Sequence, residues 1–317
     1  MNRPVLFISW SVRHGRSRDL AAALGAEAVF IGVPKRRRRW QAPFRWLAAS
    51  VVTTVTLARR RPRALIVMAP PTPLSAIALA WGRLTRTPVA LDAHTNAVLA
   101  LATGQPRRGL RITSRLAATT IVTNSQLQRV LAHDVRTVIV HDPITPWGER
   151  VDAPFTVVAP LSWESDEPFD YIVDAARRCP DVPFIATGRR PETVRADALP
   201  ANLTLTGFLT TDAYADLVRR AGVVLALTTR EATMQRAGYE AIALGIPVIA
   251  SGTAVLREFF GDAGLYADSG AELAAAVVEA QRARPQLVTA MAARREQMQR
   301  EFDRALRDVR VALSLGG

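Results

Sequence analysis

Between Thr228 and Ser251 the chain runs through a polar loop, into a segment of helical period, and out through Gly245-Ile246-Pro247 to a second apolar run. A helix opening at Gln235 leaves its first backbone N–H groups without intrahelical acceptors. Together with the helix dipole they make a seat for an anion such as a pyrophosphate. Glu240 follows one to two turns further in, where its carboxylate can accept two hydrogen bonds from a diol such as a ribose. That division suits a nucleotide diphosphate lying across the loop, with Thr229, Glu231, Thr233, Met234, Gln235 and Glu240 as the candidate contacts.

Other candidates stand at loops after apolar runs. Ser162 and its neighbouring amides form a strand-to-helix loop suited to phosphate or hydroxyl groups, and Arg189 and Arg190 can neutralise a diphosphate leaving group. Fixed cations and a helix dipole can then do the work of a metal. No Asp-x-Asp loop is present and the four His are scattered, so no metal is expected. His94 and Asp92 follow a buried run, and either could take the proton of an attacking hydroxyl. His14, Arg16 and Ser17 surround Gly15, which lets backbone approach a ligand closely, and form a candidate acceptor loop.

Positioning these groups requires alternating strands and helices. The runs Val5–Trp10, Ala28–Gly32, Ala64–Met68, Val89–Asp92, Thr120–Thr123 and Thr137–His141 are predicted as buried parallel strands. Ser17–Leu24, Ala42–Leu57, Pro73–Leu84, Gly109–Leu116 and Ser125–Ala132 are predicted as helices between them. The alternation restarts with strands at Phe155–Ala159, Pro183–Ala186, Leu203–Thr206, Val223–Leu227, Pro247–Ala250 and Leu265–Ala267. Their helices are Asp170–Arg178, Thr211–Arg220, Gln235–Leu244, Val255–Phe259 and Glu272–Arg282, and a long polar helix, about Pro285 to Val311, closes the chain. The pattern predicts two doubly wound domains, 1–144 and 145–317, facing a cleft, with ligands at the carboxyl ends of the strands.

Charge separates the halves. Residues 1–144 carry 22 Lys/Arg against 5 Asp/Glu, net +17, and residues 145–317 carry 19 against 23, net −4. The basic half clusters Lys35, Arg36, Arg37, Arg38 and Arg39 beside Trp40, Phe44, Arg45 and Trp46, ahead of an amphipathic segment. This is the composition that an anionic bilayer surface attracts. A nucleic-acid partner is not expected, because no stacking platform or reader module accompanies the charge. No run is long and apolar enough to span a bilayer, no signal peptide is legible, and the single Cys179 excludes an intramolecular disulfide. The expected location is cytoplasmic, peripherally on the inner face of the membrane.

Glu240-Ala241 with Gly245-Ile246-Pro247 resembles the donor motif of retaining glycosyltransferases of the GT-B fold: Glu, seven residues, Glu-Ala, then Gly-x-Pro. Ala232 stands in the first Glu's slot and Glu231 one position earlier. Val157 to Phe169, containing Ser162-Trp163 and Asp166-Glu167, resembles the opening of the donor domain in the chitobiosyldiphosphodolichol β-mannosyltransferase family. Thr187-Gly188-Arg189-Arg190-Pro191 is similar to that family's Thr-Gly-Lys-Gly-Pro loop, and Asp92-Ala93-His94-Thr95-Asn96 to its Asp-x-His-Asn. The resemblance, which extends to the family 4/group 1 glycosyltransferases, implies an α/β chain of two Rossmann-like domains. It implies a metal-independent hexosyltransferase whose nucleotide-sugar, GDP-mannose for this family, is a co-substrate rather than a cofactor. The implied acceptor is lipid-linked or a glycolipid. Inversion and retention stay open, since in a retaining reaction His94 would bond the donor sugar instead of acting as base. A nucleotide-sugar epimerase of the same fold and a non-catalytic subunit recruiting a partner enzyme are the alternatives.

Overall fold

The computed structural model describes residues 3–12, 14–32, 42–99, 108–131, 134–143 and 147–316. The chain forms two compact units, residues 1–143 with 301–317, and residues 144–300.

The first unit is built on six parallel strands: β1 (Val5–Ser9), β2 (Glu27–Phe30), β3 (Ala64–Ala69), β4 (Val89–Ala93), β5 (Thr119–Val122) and β6 (Thr137–Ile139). Their order is β2-β1-β3-β4-β5-β6. Every residue of β1 and β4 is buried, because helices cover both faces, and so the strands read as unbroken apolar runs. The helices are α1 (Gly15–Leu24), α2 (Ala42–Arg60), α3 (Thr72–Thr85), α4 (Thr95–Val98), α5 (Arg108–Leu116) and α6 (Ser125–Leu131). The His14 ring caps α1 by accepting the Ser17 amide, and Gly25 ends it at φ 67°, where a side chain would be strained. Among the described residues of α2 the buried ones are Ala49, Thr53 and Leu57, four residues apart on one face, and the Trp10 indole donates to Thr53 Oγ1 at 2.9 Å.

The second unit repeats the plan with β7 (Val157–Ala159), β8 (Phe184–Thr187), β9 (Leu203–Gly207), β10 (Val223–Ala226), β11 (Val248–Ala250) and β12 (Gly264–Tyr266). Its order is β12-β11-β10-β7-β8-β9, again all parallel. Its helices are α7 (Phe169–Arg178), α8 (Thr211–Arg219), α9 (Arg236–Leu244), α10 (Ala254–Phe260) and α11 (Gly270–Arg282). The strand order reverses between β1 and β3 in the first sheet and between β7 and β10 in the second. Those switch points are where an open α/β sheet leaves room for a ligand.

The last helix, α12 (Arg284–Ala312), overturns the simple division at residue 144. Met291 and Met298 lie in a core cluster of the second unit, whereas Ala305, Leu306, Val309 and Leu313 join β1, β3 and α1 in the core of the first. Residues 301–317, expected with the second domain, therefore belong to the first unit. The spacing 291, 298, 305 keeps these residues on one stripe of an otherwise polar helix.

Candidate functional site

In the second unit a cavity of about 340 Å³ opens at the carboxyl ends of β7, β8 and β9. Ser162 lines it from the loop after β7, Gly188 from the loop after β8, Tyr214 from α8, and Gln235, Arg236 and Glu240 from α9. Gln235 caps α9 with backbone alone, its side chain making no capping hydrogen bond. Glu240 is 11% exposed. Its Oε2 accepts the Tyr214 hydroxyl at 2.6 Å, and its Oε1 accepts Arg236 Nε at 3.0 Å. Burial and the facing carboxylate push the Tyr214 hydroxyl far above its ordinary pKa, which keeps it a donor. A carboxylate offers about four lone-pair sites and can accept several hydrogen bonds at once.

The loops flanking this cavity are tied together by Asp166, which sequence reasoning passed over. Its carboxylate accepts Thr228 Oγ1 at 2.7 Å and pairs with Arg230 at 2.9 Å, and its carbonyl accepts the Thr229 amide at 2.7 Å. The loop after β7 is thus fastened to the loop after β10 across the switch point. Gly188 closes the other side. At φ 91° it lies so near Leu161 that a Cβ would stand 2.1 Å from that carbonyl oxygen and 2.9 Å from the Trp163 ring. Gly238 permits a similar approach of α9 to Phe260, whose ring a Cβ would meet at 2.5 Å.

The expected contacts sort into two groups. Ser162, Gln235 and Glu240 line the cavity, but the Ser162 amide is already bonded to the Glu167 carboxylate at 3.0 Å, as is the Glu164 amide at 3.1 Å. This corrects the expectation that these amides stand ready for phosphate. Burial raises the Glu167 carboxyl above its ordinary pKa against the opposing pull of those amides. Arg189, Arg190, Thr229, Glu231, Thr233 and Met234 are not among the cavity's lining residues. Arg190 turns back to the Val194 carbonyl, Thr229 bonds Asp166, and Met234 packs against the core. Glu231 is exposed, while Ala232 is fully buried in left-handed backbone at φ 56°, so the slot that the motif gives to a first Glu has no room for one. The cation at the cavity is Arg236 rather than Arg189 or Arg190.

In the first unit the carboxyl ends of β1 and β4 bring together a charged cluster. Arg16 is 4% exposed and Asp92 is fully buried; their closest contact is 3.1 Å, and a second Arg16 nitrogen reaches Asp142 at 2.6 Å. Arg16 also donates to the Val140 carbonyl at 2.8 Å. Burial opposes the charge on both groups, yet their pairing raises the Arg16 pKa and holds the Asp92 carboxyl well below the carboxylate range. His94 Nε2 lies 3.3 Å from Asp92 Oδ2, and the His14 ring stands edge-on to it at 5.0 Å between centroids. The His14 pKa is lowered, by burial first and then by His94.

Two expectations change here. Arg16 is locked between two carboxylates and a carbonyl, which leaves it structural rather than acceptor-binding. Asp92 is fully buried, so it presents no surface to a substrate, and its Oδ2 lies beside His94 Nε2. Ser17 is buried, with its amide and hydroxyl both on His14 Nδ1. His94 is 24% exposed, and His14 and Asp142 are also partly exposed.

Of the basic aromatic cluster, Lys35, Arg36, Arg37, Arg38, Arg39 and Trp40 lie outside the described residues. Phe44, Arg45 and Trp46 start α2, whose Phe44, Leu47 and Val51 are 67%, 65% and 56% exposed, an apolar face turned outward. Among the described residues no helix is long and apolar enough to cross a membrane.

Residues 170–309 match a family described as glycosyl transferase-like. No curated protein matches the chain. Its fold is that of HepE from Anabaena, solved with UDP and glucose, at 15% identity and TM-score 0.70 over 99% of this chain and 100% of that one. The chain has the GT-B glycosyltransferase fold. Sucrose-phosphate synthase from Thermosynechococcus elongatus superposes at TM-score 0.73 with 15% identity, covering 99% of both chains. The lipopolysaccharide outer core galactosyltransferase WaaB gives 0.63 with 13% identity over 96% of this chain and 99% of that one. The GT-B assignment agrees with the two six-stranded Rossmann-like sheets and with the group 1 resemblance of the Glu240 segment.

Proposed function

We propose that this chain is a glycosyltransferase that takes a hexose from a nucleotide-sugar and passes it to a lipid-linked or glycolipid acceptor at the inner membrane surface. The observation that carries the donor half is Glu240, held by Tyr214 and Arg236 on the wall of a cavity at the mouth of α9. The ribose diol bonds Glu240, and the diphosphate lies on the first turn of α9, where Arg236 and the helix dipole stabilise the departing charge without a metal. In the first unit Asp92 fixes His94, which either accepts the proton of the attacking hydroxyl or bonds the donor sugar. The outward apolar face of α2, with Arg59 and Arg60 in its last turn, is the membrane-seeking surface.

The resemblance to the β-mannosyltransferase family favours GDP-mannose. A second reading, a uridine nucleotide, is favoured by HepE, which was solved with UDP-glucose as well as with UDP. Calorimetry with UDP, GDP, UDP-glucose and GDP-mannose separates the two. The protein should bind one family of nucleotides, and Glu240→Ala should bind it on the order of a hundredfold more weakly. Equal binding by both proteins removes the donor site as described. Sugar turnover without any acceptor would point instead to an epimerase, and no nucleotide-sugar binding to a recruiting subunit.

A further inference from the structure

The first unit contains a second cavity, of about 310 Å³, that the donor reading does not use. It lies where β3 ends, lined by Ala69 and Pro70, and two helices begin at its wall: α3 with Thr72 and Ser75, and α5 with Arg108 and Gly109. The two helix starts are close to one another, since a Cβ on Gly109 would stand 3.5 Å from Thr72 Oγ1. Neither first turn holds an acidic residue, and Pro71 caps α3 with no side-chain hydrogen bond. The positive ends of two dipoles and the Arg108 cation therefore meet at a cavity whose lining contains no carboxylate.

Ser75 is the independent observation. It is fully buried, lines this cavity, and its hydroxyl has no hydrogen-bond partner among the described residues. A buried hydroxyl left unbonded is costly, so its place is explained by a ligand that completes it. The neighbouring Thr113 hydroxyl, by contrast, is bonded to the Gly109 and Leu110 carbonyls. Ala97, on the same wall, donates its amide to the His94 carbonyl, which puts the cavity one helical turn from the residue proposed to meet the reacting groups.

We infer that this cavity binds a phosphate group carried by the acceptor, a monoester or diester, with Ser75, Arg108 and the first amides of α5 as its donors. The role as an acceptor subsite rests on the glycosyltransferase reading, whereas anion binding itself does not. Arg16, the cation expected from sequence to do this work, is closed off by its two carboxylates, and Arg108 is placed to take it over.

The test titrates the full-length protein with inorganic phosphate, glycerol 1-phosphate and vesicles of phosphatidic acid or phosphatidylcholine, with UDP and GDP both present to fill the donor cavity. Inorganic phosphate and glycerol 1-phosphate should bind, Arg108→Gln should weaken both about tenfold, and Arg83→Gln should change neither. Binding of phosphatidic acid but not phosphatidylcholine vesicles, lost in Arg108→Gln, identifies a lipid phosphate as the source. Binding of glycerol 1-phosphate with no such vesicle response identifies a soluble one. Ser75→Ala should lose phosphate binding while keeping or raising the unliganded Tm, because it deletes an unbonded hydroxyl. A marked fall in Tm would mean that the hydroxyl has a structural partner, and would overturn the assignment. So would phosphate binding unaltered in Arg108→Gln, binding of inorganic phosphate but no ester, or no phosphate binding at all. If phosphate binds and Arg108→Gln abolishes it while no nucleotide binds, the donor reading fails and the anion site stands.

Discussion

The two sheets carry charged clusters at the same topological place and use them in opposite ways. At the end of β4, Arg16 pairs with both Asp92 and Asp142, and the three are nearly closed to solvent. At α9, Arg236 and Glu240 pair beside an open cavity, and Arg236 keeps 45% of its side-chain surface exposed. The first arrangement holds three segments of chain together, and the second stands on the wall of a cavity. Charge alone does not mark a binding site; what marks it is charge that lines an open cavity.

The contrast can be tested at four positions. The largest effect is expected from Arg16→Met, which leaves Asp92 buried beside no cation and should cost about 3–5 kcal/mol of stability; denaturant unfolding measures it. Glu240→Ala should do the reverse, losing on the order of a hundredfold in nucleotide affinity by calorimetry while costing stability only about 1 kcal/mol for the Tyr214 bond. If the Glu240 variant unfolds as readily as the Arg16 variant, the distinction between the two clusters collapses. Gly188→Ala, which forces a Cβ against the Leu161 carbonyl, should destabilise by about 1–3 kcal/mol and loosen the cavity wall.

His14 should give the smallest effect. Its folded pKa is lowered below the ordinary value of 6.5. Between those two values the unfolded chain binds more protons, so stability rises with pH through that window and levels off above it. In His14→Gln the decline of stability as pH falls below 6.5 should be shallower, as urea midpoints at pH 5.5 and 7.5 would reveal.

The sheets were legible in the sequence because parallel strands covered on both faces leave unbroken apolar runs, and Val5–Ser9 or Val223–Ala226 can be little else. Glu240 was legible because helix, carboxylate and Gly245 turn fall within one short segment. Asp166 and Tyr214 were not, since each meets its partners across 62 and 26 residues of chain respectively. Arg16 was misplaced for the same reason: nothing near it in sequence announces that Asp92 and Asp142 converge on it. Ser75 carries no signal at all, because a serine in an apolar helix becomes informative only once its hydroxyl is seen to lack a partner.

The final helix has a consequence for synthesis. Ala305, Leu306, Val309 and Leu313 complete a core whose other buried members lie between Val5 and Val140. Residues 5–140 must therefore wait, with part of their apolar interior uncovered, until residues 305–313 emerge. Domains ordinarily mature in the order of translation; here the first unit is completed only after the second has been made, and a fragment ending at Arg300 should aggregate more than the chain that keeps residues 301–317.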